Sequence, residues 1–144
     1  MILDRDALAA RGLGAPYGWA DSVRFGELDA LGHVNNIIYL AWFEGLRVRY
    51  MVARGLTSYG PDDATFVVRR QEADYLAEMR MHEDYVVTTH VSHIGRTSFA
   101  MAYNVHSKGI ITATGACTIV CVRMGRPSPL DEAARAALAA DMAP

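Results

Sequence analysis

Asp29, His33 and Asn36 close the run Arg24-Phe25-Gly26-Glu27-Leu28-Asp29-Ala30-Leu31-Gly32-His33-Val34-Asn35-Asn36. A carboxylate, an imidazole and the head of an apolar helix so near one another can share one chemistry. The carboxylate can act as general base on a water or attack a carbonyl directly. The imidazole can orient that carboxylate or bind the reacting group. The first N–H groups of a helix are unpaired and carry partial positive charge, so they can stabilise an oxyanion. Plainer roles exist for the same residues. Asp is a turn former, His can hold a turn by hydrogen bonds, and Asn35 or Asn36 can cap a helix. Spacing alone leaves both readings open.

The elements that must position this run follow from patterning. Trp19 to Phe25 reads as a short strand and Glu27 to Gly32 as a turn. Residues 36–55 read as a long helix, with Arg54 in its last turn and Gly55 at its stop. Its first two turns are apolar on every side up to Glu44, which predicts burial nearly all round. Glu44 in such a helix needs a partner, and Arg47 or Arg24 can supply one. After a loop at Gly60-Pro61-Asp62-Asp63, runs rich in Val, Ile, Thr, Tyr and Phe predict strands near 65–76, 85–94, 97–106 and 110–122. Gly95-Arg96 and Lys108-Gly109 supply hairpin-like turns. His90 and His93, three apart on one strand, are expected on opposite faces. Residues 1–18 form an N-terminal extension with room for a helical turn or two over 4–10. In the tail, 127–144, Ser128 as cap and Pro129 as first helical residue predict a short helix. The sum is one α+β domain over 1–144: a curved antiparallel sheet wrapped around one long central helix, with a short C-terminal helix. Such a sheet has edges that need protection, and edge-to-edge pairing of two copies provides it.

Composition narrows the function classes. At 144 residues the chain is one domain long, and 51% hydrophobic against 21% charged residues describes a folded core and not a disordered segment. A net charge of -2 argues against nucleic acid as a partner. Lys108 is the only lysine, so the basic residues are almost all arginine. Arginine suits phosphate and carboxylate recognition, and genomic base composition produces the same skew. Cys117 and Cys121 on one strand lie roughly 13 Å apart, too far for a disulfide. That points to a reducing, cytoplasmic compartment. The first residues carry acids and lack the apolar core of a signal peptide. No run of about 18 apolar residues predicts a membrane span. No Cys/His cluster has metal-ligand spacing, and neither a Gly-x-Ser-x-Gly elbow nor a phosphate-binding Gly-rich loop occurs. No metal and no membrane partner are therefore expected.

The run from Arg24 to Tyr39 resembles the opening signature of the 4-hydroxybenzoyl-CoA thioesterase-like family, acyl-CoA thioesterases of the hotdog fold. In that pattern an Arg, an aromatic residue, two spaced acids, Gly-His-Val-Asn-Asn and a Tyr follow in order. The second acid falls on Asp29. Glu44 and Arg47 match the family's helical Glu-x-x-Arg, and Gly95-Arg96-Thr97-Ser98 its later strand turn. The resemblance implies the hotdog fold and hydrolysis of a fatty or aromatic acyl-CoA to free acid and coenzyme A. It implies Asp29 as base or nucleophile, with His33 beside it, and the Asn36 N–H as oxyanion donor. Tyr39, Arg96, Thr97 and Ser98 would contact substrate, with Arg96 on a phosphate of coenzyme A. Arg123 and Arg126 can do the same. No cofactor is implied beyond the coenzyme A of the substrate. The implied assembly is a homodimer whose active site uses both subunits, able to pair again into a homotetramer.

Two departures stand out. Glu27 replaces the usual first Asp. Leu31 stands where plant acyl-carrier-protein thioesterases have Asn, so an Asp-Asn-His set of that kind is incomplete. Glu44 is a reserve carboxylate, since a different thioesterase subgroup takes its acid from the helix. The rival expectations are a hotdog dehydratase or hydratase acting on 3-hydroxyacyl or enoyl thioesters, and a non-catalytic acyl-CoA-binding module.

Overall fold

A computed structural model describes residues 1–143. In chain order the elements are β1 (Ile2–Asp4), α1 (Arg5–Ala9), β2 (Tyr17–Ser22), α2 (Asn36–Ala53), β3 (Thr65–Tyr75), β4 (Asp84–Ile94), β5 (Ser98–Ser107), β6 (Ile110–Arg123), β7 (Arg126–Pro127) and α3 (Glu132–Ala140). The strands form one antiparallel sheet in the order β1-β2-β4-β5-β6-β3, with β7 on the end of β6. The sheet curves around α2, which is the hotdog arrangement.

Alternation along the central strands decides which face meets the helix. On β5, Phe99, Met101, Tyr103 and Val105 are buried inward, while Ala100, Ala102, Asn104 and His106 face the other side. Tyr39, Phe43, Leu46 and Tyr50 are buried on one side of α2 at helical spacing. Phe43 stacks on Tyr103 with ring centroids 4.7 Å apart. It also fills the space over Gly115, where a Cβ would come within 2.9 Å of Phe43 Cδ2 and Cζ and closer still to Cε2. Glycine at 115 is thus a packing requirement.

Several expectations change. Burial of α2 all round does not hold in the single chain: Ile37, Ala41, Glu44, Val48 and Val52 form an exposed stripe. One sheet layer covers one side of a helix, and nothing among the described residues covers the other. Glu44 points outward and makes no ion pair among the described residues. Arg24 pairs instead with Asp21 at 2.8 Å. Arg47 is buried and donates to Tyr103 Oη at 3.4 Å, with Cys117 Sγ at 3.7 Å. Burial, with the nearby Cys117, pushes the Tyr103 hydroxyl up. His90 and His93 face the same side, because a bulge between Val91 and His93 leaves them opposite Ala102 and Ala100. β2 ends at Ser22 and the chain turns through a 3-10 segment at Phe25–Glu27. The C-terminal helix starts at Glu132 with Asp131 as its cap. Ser128 and Leu130 instead donate backbone N–H groups to Cys121 O and Arg96 O, which keeps that stretch extended.

The two ends of the chain close over the sheet. β1 is an edge strand, Leu3 and Leu8 are buried, and Asp4 caps α1 by accepting from the Ala7 N–H at 2.9 Å. Arg54, at the end of α2, donates to the buried carboxylate of Asp141, which Arg5 also meets at 3.2 Å. At the β5–β6 turn Lys108 and Gly109 both take positive φ, the geometry of a two-residue hairpin. Cys117 and Cys121 are free and buried. No helix among the described residues is long and apolar enough to cross a membrane.

Phe43 cannot yield easily, since it is fully buried and stacked. Gly115→Ala should therefore lower stability by about 1–3 kcal/mol, read as a lower denaturant midpoint at unchanged slope.

Candidate active site

The site is built where the chain leaves β2 and enters α2. The Arg24 N–H donates to Glu27 Oε2 at 2.8 Å and the Glu27 N–H to Arg24 O at 3.0 Å, closing the 3-10 turn. Glu27 Oε1 accepts from Trp42 Nε1 at 3.0 Å, and the Glu27 carbonyl from the Asn35 N–H at 2.9 Å. Glu27 thereby fastens the turn to the second turn of α2.

Asp29 organises the next turn. Its Oδ1 accepts from the backbone N–H groups of Leu31 at 2.9 Å and His33 at 3.2 Å. Its own N–H donates to His33 O at 2.8 Å, and Gly32, at φ +76°, donates to Asp29 O. Such a φ is the reason glycine stands at 32. Asp29 Oδ2 has no partner among the described residues. The Val34 N–H then donates to Met79 O at 2.9 Å, tying the turn to the segment after β3.

The helix start follows. Asn35 caps α2, its side chain accepting from the Ile37 N–H at 3.2 Å. The Asn36 N–H has no acceptor among the described residues, as expected of a first helical amide. Tyr75 donates its hydroxyl to Asn36 O at 2.9 Å, so the end of β3 holds the head of α2. Tyr39 is buried one turn on, edge-to-face with Tyr75 at 5.3 Å and with Trp42 at 5.1 Å. Burial first, then Glu83 and Tyr75, pushes its phenol up to about 12. It is a neutral hydroxyl at physiological pH.

Asp29, His33, Asn36, Tyr39, Tyr75 and Glu78 line one open cavity of about 400 Å³, together with Val34, Leu76 and Ala77. His33 Nε2 lies 2.8 Å from Glu78 Oε2, and Arg80 donates to the other Glu78 oxygen at 2.8 Å. The Arg80 guanidinium, with a smaller contribution from His33, holds the Glu78 carboxyl below its ordinary range, while desolvation opposes them. The chemistry on offer is a free carboxylate oxygen, a helix-start amide and an imidazole around a half-apolar pocket. Among the described residues no group of three or more His, Cys, Asp or Glu side chains is placed to hold a metal ion.

Asp29, His33, Asn36 and Tyr39 thus come together. Arg96, Thr97 and Ser98 do not join them within one chain. Ser98 lies opposite Val120 of β6, whereas Tyr75 lies opposite Ala113, seven residues away along that strand (113 to 120). That is roughly 23 Å. The Gly95 N–H closes the turn on Ser98 O at 2.7 Å, and Arg135 donates to Gly95 O at 2.7 Å and to Arg96 O at 3.3 Å. Arg96, Arg123 and Arg126 are exposed at this same end of the sheet and form no ion pair among the described residues. Tyr75 and Glu78 were not legible as site residues. They arrive from far along the chain, and no local pattern marks them.

Residues 23–138 match the family model of the thioesterase-like superfamily. The chain belongs to the thioesterase-like superfamily. Among solved structures, this thioesterase-like chain is similar to a thioesterase superfamily protein from Jannaschia Sp. CCS1. The two share 38% identity at a TM-score of 0.91, covering 98% of this chain and 93% of that one. It is also similar to a thioesterase from Thermus thermophilus complexed with coenzyme A and Zn. There the identity is 36% and the TM-score 0.78, covering 85% and 91%. YsmA of Bacillus subtilis (strain 168), itself an uncharacterized protein, is 32% identical over 102 residues, 70% of this chain and 69% of that protein.

Asn35 supplies the cap that presents the Asn36 amide. Asn35→Ala should lower stability by about 1 kcal/mol, measured by urea unfolding.

Proposed function

We propose that this protein is an acyl-CoA thioesterase with Asp29 as the acting carboxylate and the start of α2 as its oxyanion hole. One observation carries the reading. Asp29 commits Oδ1 to its own turn and leaves Oδ2 without a partner among the described residues, and it lines the same cavity as Asn36, whose N–H is likewise unpaired. The first contact fixes the carboxylate; the second oxygen is available for chemistry.

In hydrolysis the water oxygen bonds to the thioester carbonyl carbon and its proton passes to Asp29. The carbonyl oxygen gains negative charge, which the Asn36 N–H and the helix start stabilise. The C–S bond then breaks, the acid forms, and the coenzyme A thiolate takes up the proton. Direct attack by Asp29 reaches the same products through a mixed anhydride that water opens. Neither route needs a cofactor. The signature from Arg24 to Tyr39, resembling that of 4-hydroxybenzoyl-CoA thioesterases, supports the assignment. The coenzyme A bound by the Thermus relative supports coenzyme A as the thiol. Tyr39, Tyr75, Leu76 and Ala77 give the cavity an apolar wall suited to a fatty or aromatic acyl group.

A second copy completes the site in this reading. β3 is a sheet edge of 11 residues with nothing paired on its outer side among the described residues. Antiparallel pairing of two β3 edges reverses one sheet relative to the other. The end bearing Arg96 in one copy then lies beside the Asp29 cavity of the other, where Arg96, Thr97 and Ser98 can meet the nucleotide of coenzyme A. The exposed stripe of α2 is a further surface by which such dimers can pair into tetramers. The buried free thiols accord with a reducing, cytoplasmic compartment.

Thiol release from short, long and aromatic acyl-CoAs tests the reading. Asp29→Asn should fold normally and lose most of kcat, by roughly 100-fold or more; wild-type turnover in that variant would refute the assignment. A change in double-bond absorbance without thiol release would favour a dehydratase. Arg96→Ala should raise KM for coenzyme A thioesters more than for thioesters lacking the nucleotide, and an equal effect on both would remove Arg96 from the phosphate.

A further inference from the structure

Tyr75 takes no part in the hydrolysis described above, yet through it the sheet grips the start of α2. Its backbone is fixed by β6. Tyr75 lies opposite Ala113 in the register, and the Leu76 and Ala77 N–H groups both donate to Thr112 O, at 2.9 and 3.0 Å. Its ring sits edge-to-face on Tyr39 of α2. Its hydroxyl donates to Asn36 O at 2.9 Å. A hydroxyl has one hydrogen and this bond uses it, so Tyr75 has none left to donate to a substrate. A carbonyl oxygen has two lone pairs, so the bond can add to the one the helix makes.

The bond falls on the residue that carries the free amide. Ile37 donates its N–H to Asn35 Oδ1 at 3.2 Å and Ile38 to Asn35 O at 2.9 Å. The Asn36 N–H alone of these three has no acceptor among the described residues. The peptide unit after Asn36 is held at both ends, its carbonyl by Tyr75 and its N–H by the Asn35 side chain. The peptide unit before it, which carries the free N–H, is held at its carbonyl by Ile38. Of these holds, the one made by Tyr75 comes from the sheet and the others from the helix start itself.

We propose that Tyr75 is a positioning residue whose hydroxyl, by holding Asn36 O, sets the Asn36 N–H for the oxyanion that develops in the reaction. It acts through that amide and touches no reacting atom. The proposal rests on the thioesterase reading for its kinetic consequence and on the 2.9 Å bond for its structural one.

Two variants of the full-length protein test the two parts separately. Tyr75→Phe removes the hydroxyl and keeps the ring. Asn36→Pro removes the amide hydrogen itself. Proline suits that place, because Asn36 is the first helical residue and Asn35 before it is extended, at φ -60° and ψ 137°. In the first measurement, backbone carbonyl and amide resonances are compared between ligand-free wild type and Tyr75→Phe. Those of Asn36 should move and those of Val52, at the far end of α2, should not. Unmoved Asn36 resonances would overturn the proposal whatever the enzyme does. The second is a kinetic double-mutant cycle on an acyl-CoA that the wild type hydrolyses. Asn36→Pro should lower kcat roughly 100-fold or more, the scale of a lost oxyanion donor. Tyr75→Phe should lower it roughly 10-fold through a misplaced donor, with KM changed less than about twofold. In the Asn36→Pro background, Tyr75→Phe should have no further effect. An equal loss in both backgrounds, as a merely structural role would give, would overturn the proposal. Wild type that releases no thiol from any acyl-CoA would refute the thioesterase reading and the kinetic consequence with it, while the resonances would still decide whether Tyr75 holds Asn36.

Discussion

The contact between Phe43 and the bare backbone of Gly115 sets the position of everything else. A ring stacked on Tyr103 and seated where a side chain would otherwise stand fixes the helix against the sheet both in height and along its axis. Tyr39 lies one turn before Phe43 and Asn36 nearly two turns before it. The depth of Phe43 therefore decides where the first amides of α2 emerge. Tyr75 then bonds Asn36 O, and the end of β3 joins the helix start in one rigid unit. The cavity is the space left beside that joint.

Three carboxylates meet this unit with different duties. Glu27 spends both oxygens on structure, one on the Arg24 N–H and one on Trp42. It stands where an Asp is usual, and its extra methylene is used in reaching both partners at once. Asp29 is divided, with one oxygen bound to the turn and the other open. Glu78 is far away in the chain and bound on both sides. Only Asp29 combines a fixed side chain with an unoccupied oxygen, which separates it from its neighbours more sharply than its charge does. Glu44, the helical acid, is exposed on another side of α2 and does not line this cavity within one chain.

A single copy also leaves surfaces without partners. The stripe from Ile37 to Val52 is apolar apart from Glu44 and faces outward, and the β3 edge carries unpaired backbone groups. Both are costly to leave in water. The proposed pairing of two β3 edges would account for that edge and for the separation of Arg96 from Asp29 within one chain, and the proposed pairing of dimers would cover the stripe.

Much of this was written locally. The α2 boundary at Asn36 followed from a capping Asn before an apolar run, and the strands from alternation and β-branched residues. The turn carrying Asp29 and His33 was legible because its hydrogen bonds join residues within four positions of each other. Other features needed the folded chain. The bulge that puts His90 and His93 on one face is a register choice between β4 and β5, which strict alternation along one strand misses. The extended path of Ser128 and Leu130 is imposed by their bonds to Cys121 and Arg96. Tyr75 and Glu78 enter the cavity through sheet pairing, from positions far along the chain after the Asp29 turn. Local hydrogen bonding and periodicity shape elements, and they name the residues those elements carry. Which distant side chains then share a cavity is decided by packing alone, because the energies that bring them together act between segments and leave no trace in either one.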